Sequence, residues 1–340
     1  MKITKILVAL TFLFSVATAN AGTLTVTGSM KAAYQSEVTG VTGNPLGVDT
    51  EIAFTGSTEL DNGITVTIMQ DTADKGVFGD QMLTFGNIMG MFDVYVGNDA
   101  DPMDSADDLT PSAFEEANGA GSGNYTGTDI GSNKTGSNGI GIKTSLPIIG
   151  TLNAMYYPRN DAVENADGSA SGDSTVGSAY SATLTTPLSG IPAIGSLLEG
   201  ATLTTGIAER ETGRVAKTAD LLELTAALNY VYGPVSFGYQ KTFSDSGQTT
   251  SKATNHTIYR DDIIGIAYKV NDALSVSWNR YTSLKSDDAA NAVEQETDAI
   301  NIGYTVGGIS FGFQDADTDN SGYVLNTKDE TRRLQVSVAF

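Results

Sequence analysis

The stretch Arg332-Arg333-Leu334-Gln335-Val336-Ser337-Val338-Ala339-Phe340 sets Leu334, Val336, Val338 and Phe340 on one parity and Arg333, Gln335, Ser337 and Ala339 on the other. Side chains along a strand point alternately to opposite faces, so four apolar groups here share one face. Chain ends of soluble domains commonly fray into a polar tail. A strand in this position instead needs a partner on each edge, because an open edge leaves a row of unpaired backbone groups. The rest of the chain has to supply that partner.

Runs of the same period recur upstream. TLTVTGSMKAAYQ places Leu24, Val26, Gly28, Met30, Ala32 and Tyr34 on one face and Thr25, Thr27, Ser29, Lys31 and Gln35 on the other. EIAFTGSTEL and GITVTIMQ follow, joined by Asp61-Asn62-Gly63, where Asn and Gly tolerate the positive φ of a tight turn. Further runs are QMLTFGN, MFDVYVGN, NGIGIKTSL, TLNAMYYP, SAYSATLTTPL, ATLTTGIAER, DLLELTAALNYVY, PVSFGYQKTF, DIIGIAYKV, ALSVSWNRY, TDAINIGYTV and ISFGFQDA. With the closing run the count is sixteen, and fourteen or eighteen also fit the boundaries.

The connections alternate. Long polar stretches at 36–49, 71–80, 99–137, 159–177, 211–218, 245–255, 285–293 and 317–328 alternate with short turns. A barrel standing across a membrane has one end with long loops and one with plain turns, which a sandwich or propeller does not require. The Pro-containing stretch 188–199 fits least well, being longer than a turn at its position should be.

Parity then decides what faces what. The face opposite the apolar one carries Thr65, Thr67, Gly141, Lys143, Thr202, Thr204, Glu223, Asn229, Gly303 and Thr305. Hydroxyls and charges of this kind cannot fill a dry core without partners, so the interior is wet and the apolar parity faces lipid. Tyr34, Phe92, Tyr156, Tyr180, Tyr230, Tyr232, Phe243, Tyr268, Tyr304 and Phe340 have outward parity near strand ends, as interfacial girdles do. Lys241 and Arg280 also have outward parity and fit this pattern poorly. The last strand can pair with residues 24–35 and close the sheet, so that no edge meets lipid.

Composition narrows the function. The chain carries 38 glycines, 17% charged residues and a formal net charge of −21. So acidic a chain does not suit nucleic-acid phosphates. It has no cysteine and a single histidine, His256, at a loop edge, which removes thiol chemistry and thiolate metal sites. No Ser/His/Asp set is credible, adjacent Glu115 and Glu116 cannot oppose one another as a hydrolytic pair, and no enzyme is expected. Residues 1–21 have a basic start, an apolar stretch from Ile6 to Val16, and Ala19-Asn20-Ala21, the layout of a secretory signal peptide cut after Ala21. Residues 22–340 then form one domain, with no apolar stretch long enough for a membrane helix.

These residues resemble the general porins of Gram-negative bacteria. The resemblance rests on the leader followed directly by TLTVTGSMKAAYQ, the ELDNGI hairpin, GMFDVYVGND before the longest loop, and the closing VSVAF. It implies a sixteen-stranded transmembrane up-and-down barrel in the outer membrane, a homotrimer, a third long loop folded into the lumen, and Phe340 as an assembly signal. The acidic loop motif of enterobacterial members has only a loose analogue in TPSAFEEANGAGSG.

The loop 99–137 carries Asp99, Asp101, Asp104, Asp107, Asp108, Glu115 and Glu116. By analogy these acids line a constriction, opposite the inward-parity cations Lys31, Lys143, Arg210, Lys269 and Arg333, with a transverse field between them. The expected function is passive diffusion of small hydrophilic solutes with cation preference; the alternative is a secreted, adhesin-like β-protein that binds calcium or a partner. No cofactor is expected. NDADPMDSADD and DADTDNSG admit at most weakly bound calcium, since Asn320 stands where a calcium loop needs Gly and Asn326 where it needs Glu. Outer-membrane lipid and lipopolysaccharide are the expected surroundings.

Overall fold

The computed structural model describes residues 22–37, 43–73, 77–98, 101–117, 138–158, 177–192, 195–211, 220–245, 257–287 and 292–340. The leader and His256 lie outside them. Sixteen strands run in order: β1 (Thr23–Glu37), β2 (Leu46–Glu59), β3 (Thr65–Ala73), β4 (Val77–Ile88), β5 (Phe92–Gly97), β6 (Gly139–Leu146), β7 (Gly150–Tyr157) and β8 (Ala179–Pro187). They continue as β9 (Ala201–Arg210), β10 (Leu221–Tyr232), β11 (Val235–Asp245), β12 (Thr257–Lys269), β13 (Leu274–Asp287), β14 (Val293–Val306), β15 (Ile309–Asp319) and β16 (Lys328–Ala339).

Each strand pairs antiparallel with its neighbours in sequence, and β16 pairs with β1, closing the barrel. Across the seam Met30 stands opposite Val338 and Tyr34 opposite Leu334. Phe340 extends the pairing: its N–H donates to Gly28 O at 2.9 Å and its carbonyl accepts from Gly28 N–H at 3.1 Å. A side chain on Gly28 would place its Cβ 2.5 Å from the Phe340 ring, so glycine lets the closing aromatic lie directly across the first strand. The edge problem posed by the RRLQVSVAF strand is thereby solved by the TLTVTGSMKAAYQ strand.

The short turns form as their residues dictate. Gly63 takes φ 81°, Leu60 N–H donates to Ile64 O at 2.8 Å, and Asn62 Oδ1 accepts Ile64 N–H at 3.2 Å. Two connections differ from the sequence reading. Strand pairing runs to Ala73 and resumes at Val77, with a register shift between Gln70 and Thr72, so residues 71–80 are mostly strand. The pairing of β15 continues to Asp319, because Asp315 and Asp319 have cationic partners across the sheet in Arg332 (2.9 Å) and Lys328 (2.7 Å). The calcium-loop spacing of Asp315, Asp317 and Asp319 is therefore strand alternation. The stretch 188–199 is a plain-end connection enlarged by two single 3-10 turns, Leu188–Gly190 and Gly195–Leu197.

Outward parity is apolar. Leu24, Val26, Met30, Ile68, Leu228, Ile300, Ile302 and Leu334 are exposed on the outer wall, with Tyr34, Tyr156, Tyr232, Tyr268, Tyr304 and Phe340 toward strand ends. The two misfit cations are paired on this surface. Lys241 Nζ lies 2.8 Å from Asp262 Oδ1. Arg280 holds Asp298 through two bonds of 2.9 and 2.6 Å, approaches Glu296 at 3.3 Å and stacks over Trp278. Paired charge at the upper edge of an apolar band is far less costly than bare charge within it.

Candidate channel lining and constriction

Inside the barrel the wall is polar, and its residues fall into two states. On β1–β3, Lys31 and Glu51 are exposed to the lumen; Lys31 pairs with Asp49 at 2.6 Å, and Thr67 meets Ser57 across the sheet. On β10–β15, Gln240, Asn279 and Gln314 are wholly buried although they point inward. What covers them is the segment 101–117 of the long connection between β5 and β6.

The path of that segment follows from its partners in order. Asp101 is buried beside the hydroxyls of Ser181 and Tyr157 and accepts Met103 N–H at 2.9 Å. Met103 is fully buried against Ala208, where Gly206 leaves room for its sulfur. A single 3-10 turn, Asp104–Ala106, follows. Gln240 Nε2 donates to the carbonyls of Ala106 (2.9 Å) and Asp107 (2.6 Å), and its Oε1 accepts Leu109 N–H at 2.9 Å. Asn229 donates to Leu109 O at 2.8 Å, and Asn279 to Pro111 O at 2.9 Å. Ala113 N–H donates to Ser277 Oγ at 2.9 Å. Gln314 donates to the carbonyls of Glu115 (3.3 Å) and Glu116 (3.1 Å). Ala117 ends the described segment in a small apolar cluster with Ile263, Tyr281, Ala299 and Ala316. The loop thus crosses the inner wall from β8 to β16.

Five glycines make this approach possible. Gly206, Gly238, Gly265, Gly303 and Gly312 all point inward, and a methyl at each would strike Met103, Pro111, Pro111 O, Ala113 O and the Phe114 ring respectively. Their small size is the physical reason that the loop can lie against strand backbone, with its own backbone at Gly265 and Gly303 and with the Met103, Pro111 and Phe114 side chains at the others.

The loop acids sit on both faces of this layer. Asp104 is exposed to the lumen, and Asp107, Asp108 and Glu115 are half-exposed. Burial pushes the Asp101 carboxyl above the usual range, with the Ser181, Met103 and Tyr157 donors pulling it back. Burial likewise raises Glu116, helped by the neighbouring charge of Glu115. Asp99 lies outside the described residues.

The five inward cations stand at separate levels. Arg333 comes to the loop: its NH1 is 3.3 Å from Glu115 Oε1 and its guanidinium stacks over Phe114. Lys31 is mid-strand with Asp49. Arg210 ends β9 at the long-loop end near Glu223, Lys143 lies opposite Asp93 in the lower half, and Lys269 ends β12 beside Asp272 at 2.9 Å in a plain turn. Sequence parity finds each of these side chains but not its height. Sequence parity singles out Asn229 alone among the amides that hold the loop, since an inward Gln in a wet barrel reads as ordinary lining. Among the described residues no cluster of three or more His, Cys, Asp or Glu side chains is placed to hold a metal.

A closed barrel with an apolar exterior, a polar lumen and an internal loop narrowing it is a transmembrane β-barrel channel. The chain belongs to the Gram-negative porin family, whose model matches residues 7–322. This places it in the outer membrane as a porin channel. Solved outer-membrane proteins and porins share its fold. OmpT of Vibrio cholerae in its trimer form superposes with a TM-score of 0.66 at 10% identity, covering 94% of this chain and 100% of that one. An anion-selective porin from Comamonas acidovorans gives 0.64 at 12% identity, and a further refined porin 0.63 at 13%, each with the same coverage. No curated protein matches the sequence.

Proposed function

We propose that the channel passes small hydrophilic solutes by diffusion and prefers cations. One observation carries the preference: acids stand on both sides of the open lumen. Asp104 and half-exposed Asp107 and Asp108 lie on the loop, with Glu51 exposed on the facing wall, where Lys31 is neutralised by Asp49. Fixed carboxylates beside a narrow, low-dielectric passage raise the local concentration of counter-ions. With the five basic residues spread over several levels, the reading relies on this acidic lining rather than on opposed charged clusters. The Comamonas relative, described as anion-selective, has the same fold, so the fold alone does not carry the sign of the preference. Reversal potentials across a planar bilayer in a salt gradient test the reading; a potential of the anion-selective sign refutes it.

The same reading includes removal of residues 1–21 on export, Phe340 as the assembly signal, a homotrimer set in lipid and lipopolysaccharide, and no catalytic role. It gives calcium at most a weak place on the acidic loops. The trimer form of the Vibrio relative supports the oligomeric part. The secreted, adhesin-like alternative has no observation in its favour, since a water-soluble protein would not leave an unbroken apolar band outward.

A further inference from the structure

We propose that the inner wall of β9–β15, rather than the side chains of the loop, sets the width of the passage. This inference rests on the porin reading. The wall acts in two ways. Glycines at 238, 265, 303 and 312 form a trough in which the loop lies in contact, through Pro111 O at Gly265 and Ala113 O at Gly303 and through the Pro111 and Phe114 side chains at Gly238 and Gly312, so each missing methyl fixes how closely the loop can approach. Amides at 240, 279 and 314 then bind loop carbonyls at 2.6–3.3 Å.

The amides, Gly265 and Gly303 address the main chain. At these points a change of loop side chain would leave the depth of the loop unchanged, whereas one methyl added to the wall would lift the loop into the lumen. At Gly265 the added Cβ would lie 2.6 Å from Pro111 O, 2.8 Å from Asn279 Nδ2 and 2.9 Å from Thr110 Cβ, with backbone and a bonded amide in the way. Barrel strands are tied on both sides by their ladders, so the loop moves first. The clamp is also neutral. Amides do not titrate, and the middle of the loop keeps its position where its charged ends respond to pH or salt. The wall glycines and amides are therefore positioning residues for the constriction.

Single-channel recording in planar bilayers tests this, with neutral polyethylene glycols of graded size as rulers. Gly265→Ala and Gly303→Ala lower the conductance roughly twofold and shift the polymer cut-off to smaller sizes, because conductance follows pore radius. Gln240→Met, which releases the loop from the wall, gives a noisier open channel whose conductance and polymer cut-off fall as the loop lifts into the lumen. Asp108→Asn alters ion preference and leaves the polymer cut-off in place.

A staple supplies the rescue. Ser112 Oγ and Ser277 Oγ are 3.4 Å apart and the chain has no cysteine, so Ser112→Cys with Ser277→Cys gives one possible disulfide. Oxidised, it restores quiet, wild-type conductance to Gln240→Met; reduced, it does not. Heat-modifiable gel migration of each variant confirms a closed barrel. Folded glycine and Gln240 variants with the wild-type cut-off, or a staple that oxidises and rescues nothing, overturn the proposal. A wild-type protein that forms no channel instead overturns the porin reading beneath it.

Discussion

The lumen-facing residues of β1–β3 and those of β9–β15 share one parity, yet the two walls are in opposite states. On the first wall Lys31 and Glu51 stand in open lumen, where water satisfies whatever the protein does not. On the second, Gln240, Asn279 and Gln314 are sealed beneath the loop, where each must find a protein partner and does. An inward polar residue in such a barrel can therefore contact the solute or support the part that does. What decides is whether residues 101–117 lie over it.

The largest test of this contrast removes the cover. Deleting residues 103–116 and rejoining the chain leaves every strand pair intact, so the barrel still closes and the second wall becomes as wet as the first. Conductance is expected to rise severalfold, with the polymer cut-off moving to larger sizes; unchanged conductance would mean that the loop does not narrow the passage.

A second test compares ion pairs in the two solvents that meet this protein. Asp298→Ala removes the two-bonded partner of Arg280 on the outer wall and leaves it only the 3.3 Å contact with Glu296; a bare Arg facing lipid costs about 2–4 kcal/mol at the midplane, falling to about 0–1 near the interfaces. Lys31→Ala breaks the lumen pair with Asp49, an exposed contact worth about 0–1 kcal/mol. Denaturant unfolding in detergent should rank Asp298→Ala as the more destabilising; equal losses would remove the distinction between lipid-facing and lumen-facing charge.

Smaller still is the effect at the root of the loop, where Asp101 is a buried carboxylate held by neutral donors. Its folded pKa is raised, so its contribution to stability is complete below the unfolded value and is lost as pH rises through the folded one. The wild-type protein should therefore lose stability relative to Asp101→Asn as pH increases from the acid range toward neutrality. The variant, still able to accept the Met103 N–H, lacks this component. Parallel unfolding curves for the two proteins across that range would show that Asp101 does not titrate in the folded state.

Much of the fold was legible because strand geometry is local and barrel closure is obligatory. The alternation in RRLQVSVAF and TLTVTGSMKAAYQ required both strands to have one lipid face, and the absence of edges in lipid required them to meet. The site was less legible. Asn229 was identified as inward and polar, but nothing near it in sequence points to its partner, Leu109 O, 120 residues away. Gly265 and Gly303 look like ordinary weak points of a strand until Pro111 and Ala113 are seen against them. The stretch 71–80 and the first residues of 317–328 read as loop because acidic residues suggest solvent, while in the barrel cross-strand pairing keeps 71–73, 77–80 and 317–319 extended; residues 320–327 are a loop, as the sequence reading has them.

The sequence by itself determined which side of every strand meets lipid, since a two-residue period admits no other assignment once one face is apolar. Only the tertiary structure decided which inward side chains line the passage and which hold its loop. That choice depends on contacts between residues more than a hundred positions apart, brought together by closure of the sheet and by the depth to which glycines admit the loop backbone.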